Sequence, residues 1–491
     1  MPSPLELRFG TDGWRGLIAR DFTFESVRLV VRAIAATFHA TYPDRHPLLL
    51  AVGYDSRFLS RRFAQVAAEV LRSEGIDVRL TTSYLPTPVL ACAVPLLAAQ
   101  GGLMVTASHN PPGYNGLKIR EADGGPATAT LTAQIEAETR RLAADRVVDH
   151  DISSESALRP AGQARRGAIE SFDPLPQYRS RLGALVNMER IAASRLRVVI
   201  DPMYGASQGL VAGLLREIGL EAIELHGEVN PWFGGLAPEP LAKHLFELAD
   251  RIKGLNDSRA IGLAFDGDGD RLAAIDEGGS YVTPHQIFAL LLRHLVTRRG
   301  LSGTVVKTFS TTTMIDRLAE RYGLPLTVTP IGFKYIAEII RRGSFLIGGE
   351  ESGGIGVAGH IPERDGVVSA LLLLECLAVE GKPLGALLCD LEAEVGPHCY
   401  RRLDLVQARV EDRGDLERRI LDDPPARIEG WEIKEVQALD GVKLVGGDGS
   451  WLLIRPSGTE PVLRLYAETQ THEQTSRLLA WGKAYVEGAR W

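Results

Sequence analysis

Between residues 25 and 378 the chain switches repeatedly between the period of a helix and the continuous apolar runs of buried strands, in three successive stretches. Such an alternation builds mostly parallel sheets with helices on their faces, because two parallel strands can be joined only by a long crossover. In the first stretch helices are predicted over 25–41 and 61–73 and strands over 48–54, 78–82 and 101–105. A polar run at 150–166 interrupts the pattern, and a second stretch opens with a strand at 196–200, a helix at 208–218 and a strand at 261–265. The third holds helices at 284–298, 314–322, 334–342 and 367–378 and strands at 303–307, 326–329 and 345–347. After residue 398 only short β-like segments follow, at 451–454 and 462–467, with helices at 415–421 and 473–487. At 491 residues the chain exceeds what one core supports. The expected architecture is α/β: three similar α/β domains with mixed, mostly parallel sheets and a smaller C-terminal α+β domain, around a central cleft, with boundaries at 1–165, 166–282, 283–396 and 397–491.

Composition narrows the function by exclusion. With 55 basic against 62 acidic residues the formal charge is −7, so neither nucleic acid nor an anionic membrane is an expected partner, and any phosphate site must be built locally. The most apolar window, 90–105, is broken by Pro95, Gln100, Gly101 and Gly102 and reads as a buried helix running into a strand, not a membrane span. The opening residues MPSPLELR lack the basic and apolar regions of a secretion signal, so a cytoplasmic location is expected. The four cysteines, at 92, 376, 389 and 399, have no zinc or C-x-x-C spacing and are read as reduced, buried thiols.

Five segments carry chemistry. Asp266-Gly267-Asp268-Gly269-Asp270-Arg271 follows the apolar strand at 261–265, and in open α/β sheets ligands bind beyond the carboxyl ends of strands. Three alternating carboxylates crowd negative charge that a cation relieves, and oxygen-only ligands select a hard one, Mg²⁺ or Ca²⁺. An EF-hand is disfavoured because Arg271 stands where its loop needs glycine and the flanks read as strands. Thr106-Ala107-Ser108-His109-Asn110-Pro111 ends another apolar strand, and its serine is either a nucleophile or a turn residue. The flanking pattern lacks the hydrolase elbow G-x-S-x-G, which disfavours acyl transfer. Arg455-Pro456-Ser457-Gly458-Thr459 is a turn between strands that offers a guanidinium, two hydroxyls and backbone N–H groups to an anion, or is a plain hairpin. Gly349-Glu350-Glu351-Ser352-Gly353 suits gripping sugar hydroxyls, or is a solvated loop. In Gly10-Thr11-Asp12-Gly13-Trp14-Arg15-Gly16 the cation faces a phosphate or caps a helix.

Taken together and in this order, the five segments resemble the α-D-phosphohexomutase superfamily, the phosphoglucomutase and phosphomannomutase enzymes, along the whole chain. The resemblance implies four domains around a cleft and an isomerase that moves a phosphoryl group within a hexose phosphate. It makes Ser108 the phosphoserine, and it makes Asp266, Asp268 and Asp270, with the Ser108 phosphate, the ligands of one Mg²⁺. It places Arg15, Lys118, His109 and Arg271 around the reacting phosphoryl, with Lys118 a candidate general acid or base. Glu350 and Ser352 fall on the hydroxyls at C3 and C4, Lys334 of Gly332-Phe333-Lys334 in the substrate site, and Arg455, Ser457, Gly458, Thr459 and Arg464 on the phosphate that does not react. Glucose 1,6-bisphosphate is the implied intermediate and activator.

Glucose 1-phosphate is the favoured substrate on the G-F-K and G-E-E-S loops, with mannose 1-phosphate also accepted. Phosphoglucosamine mutase and glucose-1,6-bisphosphate synthase are the alternatives, and a silent sugar-phosphate sensor is the alternative of another class. The expected partners are small hexose phosphates, in a monomer or homodimer, with a hinge near Pro397 closing the last domain over the ligand. One departure stands out. Mannose-type members commonly read G-E-x-S-G-H, whereas here Gly354 follows Ser352-Gly353, and His360 and Lys334 are the candidates to manage the proton instead.

Overall fold

The structure is a computed structural model that describes residues 9, 10, 12–148, 166–406, 413–428, 430–456 and 462–488. It holds four sheets in chain order, three mixed and one antiparallel. In the first, strands run in the order Trp14–Leu17, Tyr114–Glu121, Gly101–Val105, Leu49–Tyr54, Asp77–Thr81, Ile169–Phe172. The last four are parallel, and the first two are antiparallel additions at one edge. The second sheet, in the order Tyr281–Val282, Leu272–Ile275, Ala260–Phe265, Arg197–Asp201, Glu221–Glu224, repeats the scheme with a parallel core of three strands. So does the third, Leu326–Thr329, Thr304–Thr308, Phe345–Gly349, Ile355–Val357, where only the last strand is antiparallel. The fourth sheet is antiparallel throughout, Cys399–Val406, Val462–Thr469, Trp451–Pro456, Val442–Gly446, Trp431–Gln437, Arg427–Ile428.

The α/β architecture is therefore the one expected, and its three-fold repeat has a consequence for function. In each of the first three sheets a parallel strand ends, the chain makes a loop, and it returns antiparallel beside itself. Those three loops are 106–113, 266–271 and 350–354. The fold thus delivers the serine, aspartate and glutamate segments from the same position of three similar units.

The inner parallel strands are apolar on both faces, as Gly101–Val105 and Ala260–Phe265 are buried at every residue. The helices that cover them are bounded by recognisable signals. Thr23 caps the helix Phe24–Thr41 in a reciprocal capping box with Ser26, and Thr283 does the same with Gln286 for Pro284–Thr297. Asp365 caps Gly366–Glu380 by accepting from the N–H groups of Val367 and Val368. One hydrophobic core runs through the first three units, from Ala51 and Leu90 through Leu215 and Leu263 to Leu290 and Leu391, whereas the fourth sheet has its own core around Leu444, Leu452 and Leu465.

Several expectations are corrected. The strand Ile169–Phe172 pairs with Asp77–Thr81, so the first sheet takes in residues past the expected boundary at 165, which itself lies outside the described residues. The helices Ala129–Val148, Phe246–Leu255 and Leu384–Val395 went unpredicted. So did the strand Tyr114–Glu121, whose asparagine, lysine and arginine masked a buried strand. Of the four thiols only Cys92 and Cys376 are buried, while Cys389 is exposed and Cys399 half-buried. Among the described residues no helix is long and apolar enough to cross a membrane.

Candidate active site

Ser108 sits at the first residues of its loop with φ +53°, the left-handed region that a residue with a side chain occupies only when its surroundings enforce it. Arg57 supplies that enforcement. Its guanidinium is buried and donates to the main-chain carbonyls of Ser108, Asn110 and Pro111 in that loop and of Tyr114 just after it, while Asp55 lies 3.3 Å away as its counter-ion. Sequence reasoning missed Arg57 because nothing in its neighbourhood distinguishes it from a surface arginine. Replacing Arg57 by lysine keeps the charge beside Asp55 but loses the planar fork of donors. The expected result is a fall in kcat of roughly 10- to 100-fold with only a modest drop in melting temperature, measured side by side.

The serine loop meets the aspartate loop directly. Ser108 Oγ donates to Asp266 Oδ2 at 2.9 Å, and a Cβ placed on Gly267 would lie 2.4 Å from the Ser108 carbonyl oxygen, so that glycine is required by the close approach of two backbones. Asp266 Oδ1 accepts the N–H groups of Asp270 and Arg271, which folds the loop. The three aspartates are fully buried and present carboxylate oxygens within 4.8 Å of one another. Asp268 Oδ1 and Asp270 Oδ1 are enclosed without any hydrogen-bond partner among the described residues. Three buried carboxylates this close together, two of them with an oxygen that lacks a donor, suit a hard divalent cation.

Cations close the rest of the cluster. Lys118, on the unpredicted strand, is buried with its Nζ 2.7 Å from Asp12, 2.8 Å from Asp268 and 2.7 Å from Asp270. Burial works against its charge, but the three carboxylates outweigh burial and hold the ammonium above the ordinary lysine range. Arg364 reaches Glu350 at 2.9 Å, Asp270 at 2.9 Å and Asp12. Arg120 bridges Asp12 at 3.2 Å and Glu363 at 2.9 Å, and burial lifts the Glu363 carboxyl to about 7. Arg271 lies 3.8 Å from Asp266, 3.9 Å from Asp270 and 3.7 Å from Glu239. Arg15 donates to Asn110 Oδ1 at 2.6 Å. Asp12, Asp266, Asp268, Asp270, Glu350 and Glu363 thus face Lys118, Arg15, Arg120, Arg271 and Arg364, a cluster close to neutral. A divalent cation together with a phosphoserine of about −2 would leave that balance unchanged. His109 is driven well below the ordinary imidazole range, by burial first and then by Arg271 and Arg15, and its Nδ1 lies 3.4 Å from Ser108 Oγ.

The Glu350 and Arg455 segments come from the other two units. Glu350 is buried and points to Arg364, while Glu351 turns the opposite way, accepting from Ser310 at 3.1 Å and lying 4.0 Å from Arg402 of the fourth sheet. Ser352, next in the chain, is half-buried. Lys334 lines a crevice with Gly10, Asp12 and Gly13 of the first unit. Arg455 donates to Asp440 Oδ1 at 3.0 Å, and Asp440 Oδ2 accepts the N–H of Ile331, which fastens the fourth sheet beside the Gly332-Phe333-Lys334 loop. Arg464 stands directly opposite Arg455 in register and 3.9 Å from Asp404. Ser457, Gly458 and Thr459 lie outside the described residues.

One of the two candidates for the proton is relocated. His360 is buried, with Asp365 at 3.0 Å, Arg181 at 3.3 Å and Cys92 at 3.8 Å, so it joins three units instead of facing the serine loop. The residues that sequence reasoning missed, Arg57, Asp12, Arg120, Glu363 and Arg364, did leave one signal. Glu363-Arg364-Asp365 is a charged triplet immediately before an apolar helix, where solvated charges are out of place.

A serine bonded to a buried carboxylate triad, with a lysine and several arginines packed around them, has the composition of a phosphoryl-transfer site. Four domain descriptions match in chain order: phosphoglucomutase/phosphomannomutase alpha/beta/alpha domain I at residues 6–146, domain II at 176–279, domain III at 283–394, and the C-terminal domain at 405–480. The chain is 29% identical to a phosphoglucomutase/phosphomannomutase of Thermococcus kodakarensis, over 98% of each protein. It is 32% identical to a phosphoglucosamine mutase of Anaeromyxobacter dehalogenans, over 94% of each. The crystal structure of a phosphomannomutase-type protein of Thermus thermophilus superposes with a TM-score of 0.84 at 35% identity, covering 99% of this chain and all of that one. The chain belongs to the phosphoglucomutase/phosphomannomutase family of the α-D-phosphohexomutase superfamily, and is an isomerase acting as an intramolecular phosphotransferase.

Proposed function

We propose that the protein interconverts glucose 1-phosphate and glucose 6-phosphate, accepting mannose phosphates as well, through phospho-Ser108 and a bound 1,6-bisphosphate. The observation that carries this reading is the hydrogen bond from Ser108 Oγ to Asp266 at the edge of a carboxylate triad in which two oxygens have no hydrogen-bond partner among the described residues. In the first half-reaction the bond from Ser108 Oγ to phosphorus breaks, the sugar O6 bonds to phosphorus, and the O6 proton leaves to a base. The bisphosphate then turns over, and the 1-phosphate returns to Ser108 by the reverse step. Asp266, Asp268 and Asp270 would hold the Mg²⁺, which when bound supplies charge neutralisation at the transferring phosphoryl. Arg15 and Arg271 add positive charge near the same oxygens, as phosphoryl transfer needs little beyond positioning and electrostatic stabilisation.

Glu350 and Ser352 read the sugar hydroxyls, and Arg455 and Arg464, side by side on adjacent strands, take the phosphate that does not react. Both ends of the bisphosphate must fit that one cradle. The reading of glucose over glucosamine is tested with the purified protein assayed against glucose, mannose and glucosamine 1-phosphates, with and without glucose 1,6-bisphosphate. The highest kcat/KM is expected for glucose 1-phosphate, with bisphosphate dependence; a preference for the glucosamine ester overturns the assignment. Bisphosphate accumulating from another phosphoryl donor identifies a synthase.

A further inference from the structure

We infer that Gly354 and Arg364 are a coupled pair: the side chain missing at 354 makes room for the arginine that aims Glu350 at the sugar. The inference rests on the mutase reading only for the role of Glu350. Its geometric part stands on its own.

Two adjacent glycines end the sugar loop, and they are there for different reasons. Gly353 has φ +96°, a backbone that side chains avoid. Gly354 is not among the residues of positive φ, so its conformation is open to any residue. What forbids a side chain there is space. A Cβ on Gly354 would lie 2.4 Å from Cδ of Arg364 and 3.4 Å from its Nε. The arginine stem therefore occupies the volume into which a residue-354 side chain would project.

From that position one guanidinium joins loops of three units: Glu350 of the sugar loop, Asp270 of the aspartate loop and Asp12 of the N-terminal loop. It is 3% exposed, and the ring of Phe333 lies 6.0 Å from it. Glu350 is equally enclosed, at 5% exposure, and Arg364 is its ion-pair partner. A buried carboxylate that loses its counter-ion must turn or take up a proton, and in either case it no longer presents the same acceptor to a sugar hydroxyl. Arg364 is thus a positioning residue acting through Glu350, and Gly354 is the condition for its placement.

The test is a double-mutant cycle of Gly354→Ala and Arg364→Ala on the full-length chain with Mg²⁺ present. It reads KM and kcat for glucose 1-phosphate and for its C4 epimer galactose 1-phosphate, together with melting temperature. Gly354→Ala is expected to raise KM for glucose 1-phosphate about tenfold with a smaller change in kcat, and to narrow the preference over the epimer. In the Arg364→Ala background the same substitution is expected to change KM and melting temperature by less than twofold and one degree, roughly, because the atoms it would strike are gone. Equal effects of Gly354→Ala in both backgrounds, or an unchanged KM in the single variant, overturn the pairing. If Arg364→Ala does not fold, Gly354→Ala alone decides by the KM and epimer readouts. A wild-type protein without turnover of hexose phosphates would instead overturn the mutase reading, and the melting-temperature cycle would still decide the pairing.

Discussion

Replacing Ser108 by alanine is expected to lower turnover of glucose 1-phosphate by about 10⁴-fold or more, while the protein melts near the wild-type temperature. The hydroxyl makes one bond of consequence, to Asp266, and its removal leaves a cavity smaller than a methyl group in a loop whose carbonyls are held by Arg57. Structure should therefore survive while the phosphoryl carrier disappears. Mass spectrometry gives a second reading of the same variant: phosphate should be found on Ser108 of the wild-type chain and be absent from the alanine protein. Wild-type turnover by Ser108→Ala would eliminate the phosphoserine mechanism, and unchanged ligand affinity without any wild-type turnover would favour a sensor.

The second large effect is expected from Asp268→Asn, with Mg²⁺-dependent activity falling by roughly 10²- to 10³-fold and the Mg²⁺-induced rise in melting temperature disappearing. The geometry explains why so small a change is severe. Asp268 Oδ2 accepts from Thr87 and pairs with Lys118, whereas Oδ1 is buried and unpartnered among the described residues. An asparagine must put its NH₂ group in one of those places. Facing the ammonium of Lys118, it presents donor to donor and gives up the ion pair. In the place of the unpartnered Oδ1, it puts a donor where the triad offers a cation a buried acceptor. A Mg²⁺ titration followed by melting temperature checks binding apart from catalysis. A wild-type thermal response in the variant would remove Asp268 from the ligand set.

The cluster also reframes the question that Gly354 raises. The sequence shows a glycine where related loops carry histidine, which suggests a missing proton carrier. In the folded chain the space is not empty, since the stem of Arg364 fills it. His360, the nearest histidine in sequence, is instead spent on a buried contact with Asp365 and Cys92. A glycine in a motif therefore says that a side chain is excluded there, and only the structure says by what.

Much of the fold was legible because strands such as Ala260–Phe265 and helices such as Pro284–Thr297 declare themselves by local period and by caps within four residues. Tyr114–Glu121 was not, since its polar residues are paired with partners far along the chain: Lys118 with Asp268 and Asp270, and Arg120 with Glu363. The aspartate, serine and glutamate loops stand out in the sequence by residue type at the ends of strands. Arg57 and Arg364 were not, because an arginine inside the protein has the same letter as one on its surface, and the carboxylates and carbonyls that keep it there are up to 352 residues away.

The amino-acid sequence by itself determined the strand and helix alternation, the family and the residue types of the chemistry, because these follow from periodicity and from short motifs whose meaning is local. Only the tertiary structure decided which loops share one topological position, which single oxygens of the triad lack a hydrogen-bond partner among the described residues, and why residue 354 is glycine. Those are matters of Coulomb pairing and excluded volume between segments that meet in space and not along the chain.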